Sequence, residues 1–261
     1  MQATELALDW QGRAIQLEIQ WVGSDDPGAP VMVFLHEGLG SVALWKDFPA
    51  ALCRRLGMRG LVYSRPGYGN STPRAPDEHW GVDFMHRQAD EILPALLDAL
   101  SITRPWLFGH SDGGSIALLF AAHHPLRTAG LIVIAPHIMV ESMTIASIRQ
   151  ARSAFLQQGL RAQLARYHCD VDSAFFGWNT IWLAPEFVGW TIEAELALIR
   201  APVLAVQGEE DEYGSLRQVT GIQAKLAWAK VVALPACGHS PHRDQPQQLI
   251  ETVAAFIANQ T

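Results

Sequence analysis

The stretch Gly109-His110-Ser111-Asp112-Gly113 decides the fold that we predict for this chain. The apolar residues 106–108 precede it, and the segment 114–122 that follows has the composition of a buried helix. Strand, sharp turn and helix in this order distinguish a nucleophile elbow from a chance Gly-x-Ser-x-Gly match. Small residues are needed two positions from the serine, because a Cβ there would collide with the tight turn. The N–H groups at the start of the helix point toward the place where negative charge would develop.

Length, charge and composition limit the classes of protein to which the chain can belong. The 261 residues suit one large domain or one domain with an insertion, and 49% hydrophobic residues suffice for a large core. The net charge of −7, without a lysine- or arginine-rich run, argues against nucleic acids and anionic membranes as partners. No apolar run reaches the length of a membrane span, and the N-terminus lacks the pattern of a signal peptide. Three cysteines at unrelated spacings indicate a reduced protein, so we predict a cytoplasmic location.

Short apolar segments alternate with segments of helical periodicity along most of the chain. The first two strand patterns alternate apolar and polar residues, whereas the later ones include continuous apolar runs typical of strands buried on both faces. This order predicts an α/β fold with a mostly parallel, doubly wound sheet. We predict strands at residues 5–10, 14–22, 31–35, 61–64, 106–108, 131–135, 203–207 and 231–234, and helices at 44–56, 84–100 and 246–258.

Residues 137–200 interrupt this alternation. They contain no buried strand pattern, their first part looks helical, and the interval is too long for a bare loop. We therefore predict an inserted helical cap at 137–200, with residues 1–136 and 201–261 forming the α/β core. The later part of the cap is rich in aromatic residues, most of which we expect in the cap's own small core. One or two of them are expected to line an apolar substrate pocket, and the candidates are Trp178, Trp182 and Trp190.

A serine hydroxyl is a weak nucleophile near pH 7, so it needs a base, and the base needs an orienting acid. Asp211 follows one of the last two predicted strands and His239 follows the other. Catalytic groups in open α/β sheets meet at these carboxyl ends of the strands. Other residues compete for the two roles: Glu209, Glu210 and Glu212, which we interpret as solvated loop charges, and the histidines His36, His110, His123, His124, His137, His168 and His242.

Five segments together make the chain resemble an α/β-hydrolase over essentially its full length. They are residues 36–41, 64–69, 109–114, 208–211 and 238–242, and the most similar type is the capped carboxylesterase or C–C bond hydrolase. The resemblance implies that Ser111 is the nucleophile, that His239 is the general base and then the acid, and that Asp211 orients the imidazole. The order serine, aspartate, histidine along the chain is that of α/β-hydrolases.

A tetrahedral intermediate also needs N–H donors for its oxyanion. We assign one donor to Asp112, the residue after the nucleophile. The resemblance places the second donor in the loop after Leu35, where the family usually has His-Gly and this chain has His36-Glu37-Gly38. We assign this donor to Gly38, and we take His36 and Glu37 as candidate substrate contacts.

The carboxylates of Glu37 and Asp112 are unusual neighbours for an oxyanion hole. One hypothesis is that one of them binds a cationic or hydrogen-bonding group of the substrate, such as an amine. We favour the alternative, in which Asp112 caps the following helix and Glu37 bonds local backbone or pairs with Arg65. The reason is that an unpaired buried carboxylate is destabilising.

These observations favour a serine hydrolase that cleaves a small or medium carboxylic ester, thioester or lactone through an acyl-enzyme on Ser111. Two alternatives stay open: a C–C bond hydrolase or cofactor-free lyase with the same triad, and a ligand receptor on a hydrolase scaffold. We expect no cofactor, since no Gly-x-Gly-x-x-Gly or Walker sequence occurs. We expect no metal either, because His168 and Cys169 lack partner ligands at suitable spacing. A small-molecule substrate is the only partner that we predict, and the oligomeric state stays open.

Overall fold

The computed structural model describes residues 3–75 and 77–260, which form one eight-stranded sheet flanked by helices. Along the chain the strands are β1 (Thr4–Trp10), β2 (Arg13–Gly23), β3 (Val31–Leu35), β4 (Arg59–Tyr63), β5 (Trp106–His110), β6 (Gly130–Ile134), β7 (Val203–Gly208) and β8 (Lys230–Leu234). Their order in the sheet is β1-β2-β4-β3-β5-β6-β7-β8. The pairs β1–β2 and β2–β4 are antiparallel, and the other five pairs are parallel. The predicted α/β fold with a mostly parallel sheet is confirmed.

Helices connect the strands and cover both faces of the sheet. They are α1 (Phe48–Leu56), α2 (Phe84–Arg87), α3 (Leu93–Ala99), α4 (Asp112–His123), α5 (Ser142–Gln157), α6 (Leu160–Leu164), α7 (Val171–Trp182), α8 (Arg217–Lys225), α9 (Pro241–Asp244) and α10 (Pro246–Ala258). A π-helical segment, Gln88–Ile92, joins α2 to α3. The helix predicted at 246–258 is present with the same limits.

Two predicted helices differ in detail from the structure. The one at 44–56 is split into a 3-10 turn at Val42–Trp45 and α1, because Lys46 between them has a φ of 54°. The one at 84–100 contains the π-helical segment, which ends just before α3 and its Pro94. Proline lacks an N–H and crowds the carbonyl of the preceding turn, so a wider turn before it relieves the clash.

The segment between β6 and β7 holds α5, α6 and α7, and its aromatic side chains do not form a separate core. Phe155, Phe175, Trp178 and Trp182 belong to the same apolar cluster as Ile116 of α4. Phe155 stacks on Phe175 within this segment, with ring centroids 3.7 Å apart, but the apolar cluster continues from these rings into the main body. This corrects the expectation of an independent small core.

The carboxyl ends of the parallel strands β3, β5, β6, β7 and β8 lie at one edge of the sheet. The loops after these strands carry every candidate catalytic side chain. In α/β sheets of this kind, this edge is where ligands bind.

Candidate active site

Ser111 occupies a strained turn between β5 and α4. Its backbone has a φ of 53° and a ψ of −120°, a region that residues other than glycine rarely adopt. A Cβ on Gly109 would lie 2.3 Å from the carbonyl oxygen of Gly113, and one on Gly113 would lie 2.1 Å from that of Leu35. The glycine spacing therefore has a steric cause, and the turn holds Ser111 at the carboxyl end of β5.

Ser111, His239 and Asp211 form a continuous chain of hydrogen bonds. Nε2 of His239 lies 3.0 Å from Oγ of Ser111, and Nδ1 lies 2.8 and 3.0 Å from the two carboxylate oxygens of Asp211. When Nδ1 donates to Asp211, Nε2 is left to accept the serine proton. The structure thus brings together the three residues that sequence reasoning selected, at distances that suit activation of the hydroxyl.

Asp211 is fixed by donors from its own loop. Nε2 of Gln207 lies 3.1 Å from Oδ2, and the backbone N–H groups of Tyr213 and Gly214 donate to Oδ1 at 2.8 and 3.2 Å. Burial alone would raise the pKa of Asp211, but the hydrogen bond and charge of His239, with the Tyr213 N–H, bring it below the ordinary value. The carboxylate therefore stays ionised and holds the imidazole in one orientation.

The pKa of His239 is set by opposing effects. Burial lowers it, but the hydrogen bond and negative charge of Asp211, followed by the charges of Glu212 and Glu37, raise it above the ordinary value. A base with a raised pKa takes the serine proton more readily. The acidic loop around His239 therefore strengthens it as a base.

His110 supports His239 from the elbow side. Its Nε2 donates to the carbonyl oxygen of His239 at 2.8 Å, and its ring lies 4.8 Å from that of His242. It is 1% exposed, and burial lowers its pKa well below the ordinary imidazole value. His110 is therefore a neutral structural donor, in agreement with its expected place in the elbow.

A pocket of about 170 Å³ opens over Ser111. Asp112 and Gly38, the two residues assigned to the oxyanion hole, both line it, and α4 begins at Asp112, so that its N–H has no partner within the helix. Gly38 packs so closely on Trp178 that a Cβ would lie 2.2 Å from the indole Nε1. The lining residues are Glu37, Gly38, Leu39, His110, Ser111, Asp112, His137, Ile148, Trp178, Trp182, Glu212, Tyr213, His239 and Ser240.

Three of the five candidate substrate contacts line this pocket, and two do not. Glu37, Trp178 and Trp182 are at its wall. His36 is instead buried behind it, where Nε2 accepts from the Arg65 N–H at 3.0 Å and Nδ1 donates to the Glu37 carbonyl oxygen at 2.7 Å. Trp190 stacks on Phe187 with ring centroids 5.3 Å apart. His36 and Trp190 therefore have structural roles, which corrects the prediction that they contact the substrate.

Comparison with known proteins agrees with this geometry. Residues 32–252 match the alpha/beta hydrolase family. The chain belongs to this family.

Its relatives include enzymes with different activities. The sn-1-specific diacylglycerol lipase of Mus musculus is 25% identical, over 89% of this chain and 82% of the lipase. The 2-hydroxy-6-oxononadienedioate/2-hydroxy-6-oxononatrienedioate hydrolase of Comamonas testosteroni is 23% identical, over 87% of each chain. A carboxylesterase structure from the thaumarchaeon Nitrososphaera gargenis superposes with a TM-score of 0.78 at 18% identity, covering 98% of each chain. The structural similarity shows the fold and the match over residues 32–252 shows the family, and the substrate stays open.

The two unusual carboxylates of this α/β-hydrolase are held differently from our expectation. Asp112 is the first residue of α4 and not its cap; its Oδ1 accepts from Trp182 Nε1 at 3.2 Å, and Oδ2 lies 3.8 Å from a guanidinium nitrogen of Arg65. Glu37 accepts from the Leu39 N–H at 2.6 Å, as expected of a local backbone bond. Its side chain pairs with Arg243 at 3.9 Å, whereas Arg65 donates to the Glu37 carbonyl oxygen. Of the two expected alternatives for Glu37, the bond to local backbone is therefore present, and the side-chain pairing is with Arg243 in place of Arg65.

His137 is a pocket residue of this α/β-hydrolase that the sequence identifies only as one competing histidine. It follows β6 at the same sheet edge as the triad, and that position is the signal that points to it. It is 2% exposed, its ring centroid lies 5.9 Å from that of His239, and Nδ1 has no hydrogen-bond partner among the described residues. Burial lowers its pKa to about 3, so the imidazole is neutral.

His168 and Cys169 do not assemble a metal site in this α/β-hydrolase. Nδ1 of His168 accepts from the Gly69 N–H, and Nε2 donates to the Leu39 carbonyl oxygen, both at 2.9 Å. Within residues 3–75 and 77–260, no three histidine, cysteine or acidic side chains are grouped so that they could hold a metal ion. In the same ranges, no helix is both long and apolar enough to cross a membrane.

Proposed function

We propose that this α/β-hydrolase cleaves small or medium carboxylic esters, with thioesters and lactones as chemically equivalent substrates, through an acyl-enzyme on Ser111. The observation that carries the proposal is the 3.0 Å contact between Nε2 of His239 and Oγ of Ser111, with Asp211 on the opposite ring nitrogen. A serine at the elbow, in place of an aspartate, supports acyl transfer and not attack by a carboxylate on an alkyl carbon. The pocket of about 170 Å³ supports a compact acyl group.

The proposed reaction has two halves. Ser111 attacks the ester carbonyl while His239 takes its proton, and the N–H groups of Asp112 and Gly38 stabilise the oxyanion. His239 then protonates the departing alcohol, which leaves an ester between Ser111 and the acyl group. Water, activated by His239, attacks this ester and releases the carboxylic acid.

A fluorophosphonate probe tests the proposal, because it reacts with activated serines. We expect one adduct on Ser111 by peptide mass spectrometry, and no adduct on that peptide in Ser111→Ala. Ser240→Ala removes the other serine of the pocket wall and should still be labelled at Ser111. A folded protein without a Ser111 adduct, and without turnover of any p-nitrophenyl ester from acetate to octanoate, contradicts the proposal.

The similarity to the Comamonas testosteroni hydrolase favours a second candidate, which is hydrolysis of a C–C bond by the same triad. Incubation with a vinylogous 1,5-diketone separates the two candidates. Release of a carboxylic acid and a shorter ketone, at a rate exceeding that of every ester, would favour C–C hydrolysis. Turnover of esters alone favours the esterase.

A further inference from the structure

The charges at the pocket wall are all of one sign. The carboxylates of Glu37, Asp112 and Glu212 line the pocket, and among its lining residues, all of which lie in the described part of the chain, there is no lysine or arginine. Two buried polar atoms accompany them, although one of them, Oδ2 of Asp112, lies 3.8 Å from a guanidinium nitrogen of Arg65. Oδ2 of Asp112 and Nδ1 of His137 are buried, in side chains that are 1% and 2% exposed, and neither has a hydrogen-bond partner within the described residues.

The nearby guanidinium groups are already engaged. Arg65 lies behind the wall with 1% exposure, donates to the Glu37 carbonyl oxygen at 2.9 Å, and rests on the ring of Tyr68 at 4.6 Å. Arg243 reaches Glu37 only at 3.9 Å and is half exposed to solvent. A carboxylate on a substrate would therefore meet like charges at the wall, without a cation to replace its lost hydration.

We infer that this pocket selects esters that are uncharged or that carry a hydrogen-bond donor or cation, and that it rejects esters bearing a second carboxylate. The inference rests on the proposed function, since it names the substrate class of the same site. A donor on the substrate would meet Oδ2 of Asp112, which faces Arg65 at 3.8 Å but accepts no hydrogen bond from any described residue, and the neutral imidazole of His137 offers a second polar contact. Dicarboxylate half-esters would face repulsion from Glu37 and Glu212.

Three p-nitrophenyl esters with six-carbon acyl chains test this inference. They are the hexanoate, the mono-adipate, which adds a terminal carboxylate, and 6-(trimethylammonio)hexanoate, which adds a terminal cation. We expect kcat/KM for the adipate to be at least about tenfold below that for the hexanoate, because the charge of the partly buried Glu37 is incompletely screened by water, while the exposed Glu212 contributes less. The cationic ester should match or exceed the hexanoate.

Matched variants show whether the pocket carboxylates cause the difference. In the double variant Glu37→Gln/Glu212→Gln, the adipate-to-hexanoate ratio of kcat/KM should rise several-fold. Glu210→Gln removes one charge from the same loop, but Glu210 is exposed and outside the pocket wall, so the ratio should not change. The ratio is the readout, because a general loss of activity leaves it unaltered.

The results separate failure of this inference from failure of the proposed function. Turnover of the adipate as fast as the hexanoate, or an equal ratio change in Glu210→Gln, overturns the inference and leaves the esterase in place. No turnover of the three esters, together with no fluorophosphonate adduct on Ser111, overturns both.

Discussion

Asp211 is the residue on which the pH dependence of the candidate triad rests. His239 must be neutral to accept the Ser111 proton, so kcat/KM should fall as the pH drops through the His239 pKa. That pKa lies above the ordinary imidazole value, after the opposing effect of burial, chiefly because of Asp211. The acidic limb of the profile should therefore lie at a higher pH than an unperturbed histidine would give.

Asp211→Asn should lower kcat by about 10³–10⁴-fold, because an amide neither fixes the required tautomer nor stabilises the imidazolium. It should also move the acidic limb of the profile to lower pH, since the negative charge that raises the His239 pKa is gone. Glu209→Gln, on an exposed residue of the same loop, is the matched control and should change neither quantity. Equal profiles for Asp211→Asn and the parent protein would contradict the assigned role. The measurement is kcat and kcat/KM for one p-nitrophenyl ester between pH 5 and 9.

Arg65 is a buried cation, and its main role is to stabilise the fold by pairing with Asp112. Its partner Asp112 is equally buried, and burial raises the Asp112 pKa to about 6 although the charge of Arg65 opposes this. Arg65→Met leaves Asp112 without its cation, and we expect a loss of about 3–5 kcal/mol in the free energy of unfolding at pH 7.5. Urea denaturation measures this loss.

The control for Arg65→Met is Arg55→Met, which breaks the exposed ion pair with Glu251. Exposed pairs are screened by water, so this variant should unfold at the same urea concentration as the parent protein. If both variants lose equal stability, burial is not what makes the Arg65 pair important.

The shape of the elbow between β5 and α4 would change if a single methyl group were added to one of its glycines. Gly113 lies in the first turn of α4, where alanine would ordinarily be favoured over glycine by about 1 kcal/mol. Here the added Cβ would lie 2.1 Å from the Leu35 carbonyl oxygen, which belongs to β3 and cannot move without disturbing the sheet. Packing therefore outweighs helix propensity at this position.

Gly113→Ala should lower the free energy of unfolding by about 1–3 kcal/mol and reduce fluorophosphonate labelling of Ser111, because the turn must shift to admit the methyl group. Gly189→Ala is the control. Apart from its neighbours in the chain, no described residue has a heavy atom within 4 Å of the position that the added Cβ would take. This variant should leave stability and labelling unchanged. A Gly113→Ala protein with full stability and labelling would contradict the steric account. Urea denaturation and labelling rates provide the two measurements.

At the scale of the whole molecule, buried neutral histidines make stability depend on pH. Burial lowers the pKa of five histidines that are buried, and that of the half-buried His124; the five are His36, His110, His137, His168 and His242. In the unfolded chain each of these histidines has a pKa of about 6.5. Below that pH the unfolded state therefore binds more protons than the folded state. Burial raises the pKa of Asp112 and Glu37, which acts in the opposite direction. Because the histidines with a lowered pKa outnumber the carboxyl groups with a raised pKa, we expect a net uptake of protons on unfolding near pH 5.5.

Stability should therefore rise with pH between pH 5 and 7, by about 1.4 kcal/mol per pH unit for each proton. Urea denaturation at half-unit intervals gives the slope. Burial lowers the pKa of His242 to about 3. His242→Gln removes this group and should reduce the slope by about 1.4 kcal/mol per pH unit, which corresponds to one proton. His79→Gln changes a histidine that is not deeply buried and should leave it unaltered. A flat stability profile across this range would contradict the account.

The amino-acid sequence was sufficient to predict the sheet and the elbow and to select the three residues of the candidate triad, because these depend on local patterns. Apolar runs mark strands buried on both faces, and the glycines around Ser111 report a turn that admits no Cβ. The positions of Asp211 and His239 just after strands then imply a meeting at one sheet edge, since parallel strands end together. Each of these inferences requires only residues that are adjacent in the sequence, or the rule that parallel strands end at the same edge of the sheet.

Which side chains face the pocket, and which ones pair, became clear only from the three-dimensional structure. His36 and Trp190 are excluded from the wall, and His137 is added to it, by the way that helices distant in sequence pack over the elbow. Asp112 pairs with Arg65, which lies 47 positions earlier in the chain, and not with its own helix. Burial and pairing are properties of contacts between remote segments, and neither periodicity nor motif spacing in one sequence specifies those contacts.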